Sequence, residues 1–102
     1  MVDPSLVKRW KIVETCLERA RRSLTIVLTA PSERDALGLK AFDKYLDHNE
    51  LGLAMDTLAS IGSEHKCRGG FWRDLERAAL QMDLHGQAAE YRERFADAIR
   101  NS

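Results

Sequence analysis

The run LVKRWKIVETCLERARRSLTIV, residues 6–27, decides the fold class. Leu6, Trp10, Val13, Leu17, Ala20, Leu24 and Val27 recur at spacings that alternate four and three. An α-helix advances about 100° per residue, so this spacing lines all seven along one side, the stripe of a helix packed in a bundle. Asp3 is placed as its N-cap, and Pro4 suits the first turn, where its missing N–H costs no hydrogen bond. The β-branched Thr25-Ile26-Val27 weakens the helix near its end, and Pro31 stops it.

The same reading extends outward. Ser32 followed by Asp35 forms a capping box in which Asp replaces the usual Glu or Gln. A second helix over about 33–47 should bury Leu39, Phe42 and Leu46, with Leu37, Ala41 and Tyr45 beside them, and Gly38 costs it about 1 kcal/mol relative to Ala. Asn49 is expected to cap a third helix, with Glu50 in its first turn, where the helix dipole favours a carboxylate. Leu51, Ala54, Met55, Leu58 and Ile61 form its apolar face, and Gly62 is expected to end it. Residues 63–70 read as a polar loop. A fourth helix over about 71–82 carries Phe71, Leu75, Ala78 and Met82, with Trp72 and Ala79 widening the stripe. Gly86 breaks the chain, and a last helix over about 87–99 presents Ala88, Tyr91, Phe95 and Ile99. No segment alternates with period two between hairpin turns, so no sheet is expected. The 102 residues therefore predict one all-α domain, residues 1–102, a compact bundle of four or five helices.

Composition narrows the function classes. The chain is 44% hydrophobic, 31% charged and formally neutral, a globular balance without a whole-protein field to draw nucleic acid or membrane. The first ten residues have no apolar core of a secretory leader, and the longest apolar run, Leu24 to Leu28, is too short to span a membrane. Cys16 and Cys67 have no paired spacing and are expected as reduced thiols of a cytoplasmic protein, Cys16 as a small buried hydrophobe.

Chemistry is sparse. His48, His65 and His85 form no i, i+4 ligand pair. His65 and Cys67 could offer two zinc ligands, but a structural site needs four, so both are expected as solvated loop residues. His48 should serve a helix junction by hydrogen bonding. Ser23, Ser60 and Ser63 lie in no nucleophile elbow, and Gly69-Gly70 lacks the Lys-Ser/Thr of a phosphate loop. No catalytic residue, cofactor, metal or small-molecule substrate is expected, and the chain is not expected to be an enzyme.

The neutral total conceals an asymmetry of +3 over residues 1–30, −4 over 31–64 and +1 over the remainder. Lys8, Lys11, Arg19 and Arg22 share one side of the first helix, near Glu14 and Glu18, and read as a solvated, salt-bridged face rather than a nucleic-acid stripe. Asp43 and Asp47 share a face at i, i+4 with little local neutralisation, and Glu50 follows. A basic partner would make these charges useful, and an ordinary acidic surface explains them equally well.

The stretch Tyr45 to Leu58, YLDHNELGLAMDTL, together with Phe71 to Leu84, FWRDLERAALQMDL, resembles Maf-type and contact-dependent-inhibition immunity proteins of bacterial polymorphic toxin systems. The resemblance covers about two-fifths of the chain and implies a protein that binds the C-terminal domain of one cognate toxin. Toxins of such systems are often nucleases, including EndoU-type ribonucleases. On this reading Asp43, Asp47, His48, Glu50 and Asp56 are the candidate toxin-binding residues, an acidic patch that imitates phosphate charge on a basic active site. Two alternatives stay open: a helical nucleic-acid-binding domain, and an adaptor or homodimeric subunit using the four-three stripe as a coiled-coil seam.

Overall fold

A computed structural model describes residues 3–101; Met1, Val2 and Ser102, and with them part of the reading of the first ten residues, lie outside the described residues. Five helices follow one another: α1 (Pro4–Val27), α2 (Glu33–Asp47), α3 (Leu51–Ser63), α4 (Gly69–Gln81) and α5 (His85–Arg100). No strand occurs among the described residues. The all-α bundle expected from periodicity is thus the observed architecture.

Two of the three expected N-terminal caps form, at Asp3 and Ser32. The Asp3 carboxylate accepts from the Ser5 amide at 2.9 Å. The Ser32 hydroxyl accepts from the Asp35 amide at 3.1 Å while the Asp35 carboxylate accepts from the Ser32 amide at 3.2 Å, so each residue satisfies the other's free donor.

The helix junctions depart from the sequence reading. Asn49 does not cap α3. It sits at φ 57° as the left-handed residue that closes α2. Its amide donates to Leu46 O, and the next amide, Glu50 N, donates to Tyr45 O at 2.8 Å. These bonds satisfy two carbonyls that the helix end leaves free, the arrangement of a Schellman turn. Asp83, thirty-four positions on, does the same for α4 at φ 59°. Its amide donates to Leu80 O, and Leu84 N donates to Ala79 O at 2.9 Å. Two helical hairpins, α2–α3 and α4–α5, therefore turn by one device. Asn and Asp tolerate this backbone because their short polar side chains soften the steric cost. Asp83 sets the second break; Gly86 lies inside the first turn of α5.

α4 lies between α1 and α5 along its length, α3 touches both α1 and α4, and α2 packs chiefly against α3. Val13, Leu17, Leu24, Phe42, Met55, Leu58, Phe71 and Leu75 are fully buried at the centre. Each such side chain contributes about 1.5–3 kcal/mol by leaving water. Phe71 meets Trp72 edge-on, with ring centroids 4.9 Å apart. Gly62 is a second correction. It is buried within α3, which runs on to Ser63, and a Cβ there would collide with the Phe71 ring. Its lack of a side chain is what lets α4 approach.

Three outer members of the expected stripes are not core. Leu6, Leu37 and Ile99 are exposed, Leu37 by 61%. Leu6 and Ile99 lie near the ends of terminal helices, where fewer elements remain to cover them. Leu37 lies on the flank of α2 turned away from Phe42.

Candidate functional site

The capping box that starts α2 directs Asp35 inward, and the turn at Asn49 folds α3 back alongside. Between the two helices runs an open groove of about 340 Å³. Gly38 and Tyr45 line it from α2, and Leu53, Asp56 and Ser60 from α3. Leu53 is half-exposed there. The lining thus combines an accessible aliphatic side chain with the Asp56 carboxylate and, at its far end, an ion pair between Arg34 and Glu64 at 3.3 Å.

The five candidate toxin-binding residues do not converge on one point. Asp43 faces α1, where Arg21 donates to both carboxylate oxygens at 2.8 and 2.9 Å. The expectation of little local neutralisation is therefore corrected: a cation twenty-two positions away neutralises Asp43 across the bundle. Arg21 also lies over the Phe42 ring, 6.0 Å from its centroid. Asp56 faces the other way and accepts from the Gln87 amide of α5 at 2.6 Å. His48 ends α2, with its Nδ1–H donating to Lys44 O at 2.8 Å, the junction role expected of it. Asp47 and Glu50 lie near that same turn, exposed, and make no ion pair among the described residues. Glu50 holds the N-cap position of α3 without a side-chain capping bond. Asp47, His48 and Glu50 are thus neighbours on one turn, while Asp43 and Asp56 occupy opposite flanks.

Sequence reasoning missed the buried charges. The Nε2–H of His65 donates to Asp35, 3.1 and 3.2 Å from its two oxygens, so the loop after α3 is tied to the start of α2. That hydrogen bond, with those from Ser32, holds the Asp35 carboxyl below its ordinary range against the opposing effect of burial. The expectation that His65 and Cys67 are solvated is overturned: His65 is half-buried and paired, and Cys67 is buried, its thiol directed at Gly62 O. Burial alone pushes the Cys67 thiol up to about 11, which keeps it protonated and unreactive near neutrality. Both cysteines are free and buried. On α4, Glu76 is buried and accepts from Arg92 of α5 at 3.0 Å. Asp74 is buried 3.9 Å from Arg19 of α1, and burial raises its carboxyl despite that cation. The capping box was the one available signal for Asp35; nothing in the loop sequence points from His65 to its partner.

The basic side of α1 is likewise not the salt-bridged face that intrahelical spacing suggested. Glu14 and Glu18 make no ion pair among the described residues, and the bonds of α1 run to other helices. Arg9 reaches Gln81 O at 2.6 Å and the Asp83 carboxylate at 3.0 Å. Among the described residues, no three His, Cys, Asp or Glu side chains are grouped to hold a metal ion, and no helix is long and apolar enough to cross a membrane. No protein-family model, no curated protein and no solved structure matches the chain.

Proposed function

We propose that the chain is a non-catalytic immunity protein that binds the C-terminal domain of a cognate bacterial toxin, a nuclease in the first instance, and covers its substrate surface with the α2–α3 hairpin. The observation that carries this reading is the make-up of that hairpin. Asp47 and Glu50 at its tip make no ion pair among the described residues. Half-exposed Leu53 lies between them and the carboxylate of Asp56 in the groove.

A nuclease surface that holds phosphates is basic. Unpaired carboxylates steer such a surface into contact and then occupy the positions of phosphate charges. An accessible leucine supplies the apolar anchor that charge alone lacks, since affinity concentrates in a few desolvated contacts. The resemblance of residues 45–58 and 71–84 to immunity proteins supports the same reading. Asp43, committed to Arg21, belongs to the scaffold rather than the contact.

The test begins with the reading frame immediately upstream of this gene, where such systems encode their toxin. Its C-terminal domain, purified with this chain, should form a one-to-one complex and lose its nuclease activity. The triple reversal D47K/E50K/D56K should weaken that complex at least tenfold and abolish protection of cells. A nuclease that stays active in the presence of excess chain overturns the reading.

A further inference from the structure

We propose that the groove between α1 and α4 is a second docking surface, and that its occupant is an acidic amphipathic helix of a partner protein. Lys8, Lys11 and Arg19 of α1 and Arg77 of α4 line an open groove of about 670 Å³, and no carboxylate lines it. Its apolar surface comes from Ile12, 43% exposed, and from the edge of buried Cys16.

Many cations elsewhere on the chain are engaged, and, among the described residues, those without a partner do not converge on one of the grooves with an exposed aliphatic side chain as these do. Arg9, Arg21, Arg34, Arg92 and Arg100 each hold a carboxylate within 3.3 Å. Arg73 and Arg94 lie over the Phe95 and Trp72 rings. Lys8, Lys11 and Arg77 make no ion pair among the described residues. Arg19 has only the long 3.9 Å approach to Asp74, whose buried carboxylate sits behind it and leaves the guanidinium 55% exposed. The groove therefore gathers four cations beside exposed Ile12, with the carboxylate of buried Asp74 behind Arg19 and Arg77.

Charge complementarity calls for an anionic occupant, and Ile12 decides which kind. Lys8 and Arg19 are eleven residues apart on a straight helix, about 16 Å or three turns. A helix laid along the groove can set carboxylates against both ends and an aliphatic side chain on Ile12 between them. A nucleic acid fits less well. Single strands stack bases on aromatic side chains, and none lines this groove. A duplex offers phosphates to the cations and nothing to Ile12. The surface lies on α1 and α4, apart from the α2–α3 hairpin, and does not rest on the immunity reading.

The experiment titrates the full chain with a fluorescein-labelled Leu/Glu amphipathic helix of about 18 residues, five turns. The Leu/Lys counterpart and a single-stranded and a duplex oligonucleotide serve as competitors. The Glu peptide is expected to bind, more weakly as salt rises, and to shift amide resonances of α1 and α4. K8E/K11E/R77E should lower its affinity about tenfold or more, and I12Q about threefold; circular dichroism of both variants should match the parent, because the altered side chains are exposed. Absence of Glu-peptide binding, equal binding of the Lys peptide, preference for either oligonucleotide, or indifference to the triple reversal would overturn the proposal. Survival of toxin neutralisation in the triple variant is expected and keeps the two surfaces distinct.

Discussion

α4 and α2 are each the first helix of a hairpin built with the same turn, yet they stand very differently in the molecule. α4 buries seven of its thirteen residues, including two acids, whereas α2 buries only Asp35 and Phe42 of fifteen. The difference is one of neighbours. α4 has α1 on one flank and α5 on the other, while α2 leans on α3 and is held to α1 by Phe42, Arg21 and Asp43. A helix enclosed on both flanks must find partners for charges that cannot reach water, and α4 does so with Arg92 and Arg19. A helix with one main neighbour keeps its outer face free for other uses, and it opens at lower cost.

The contrast can be broken most severely at its two phenylalanines. Phe71→Ala should destabilise the chain by about 3–5 kcal/mol, because the ring fills space between α3 and α4. Phe42→Ala should cost less, near the bottom of that range, since α2 can settle onto α3. Native-state hydrogen exchange should show protection lost throughout after Phe71→Ala and lost first in α2 after Phe42→Ala; uniform loss in both would erase the distinction.

Two glycines give the next largest effect. Gly62→Ala should cost about 1–3 kcal/mol, because the new methyl meets the Phe71 ring. Gly38→Ala meets Cδ1 of buried Ile61 at 2.8 Å and its Cγ1 at 3.1 Å, so that side chain must shift, and the gain in helix propensity of up to about 1 kcal/mol should offset the shift and leave stability nearly unchanged. The denaturant midpoint should therefore fall for the first variant and hardly move for the second.

Acid sharpens the comparison from the side of α2. The folded Asp35 carboxyl is held below its ordinary 3.8. Its contribution to stability is therefore complete above the unfolded value and is lost as pH falls through the lower folded one. The midpoint of thermal unfolding should fall across that acid range, and Asp35→Asn should flatten the profile while lowering stability near neutrality. The smallest effect belongs to the surface clamp between α1 and α2. Asp43→Asn should cost less than about 1 kcal/mol, with the loss shrinking in high salt. A larger loss would mean that α2 depends on α1 more than its packing suggests.

The helices were legible because burial repeats with the helical period. Val13, Leu17, Ala20 and Leu24 fell where the four-three spacing put them. The turns were not, because Asn is favoured both as an N-cap and as a left-handed closing residue, and Asn49 followed by Glu50 satisfies either pattern. Gly62 read as a stop because its need for space is set by Phe71, nine positions on. The candidate acidic residues were visible as charges, but not their commitments: Arg21 and Gln87, which engage Asp43 and Asp56, are neighbours only in the folded chain. The His65–Asp35 pair was hidden for the same reason.

The bond from Arg9 to Gln81 O joins residues seventy-two positions apart. In kinetic terms it closes one of the longest loops among the described residues, at an entropic cost about 1.5 kcal/mol greater than a loop of a dozen residues. The two hairpins are local in sequence, so bringing α1 onto α4 is the non-local event expected to set the pace of folding. Leu17→Ala, at the centre of that contact, should therefore slow refolding more than Leu58→Ala in α3, a difference that stopped-flow fluorescence of the two tryptophans can measure.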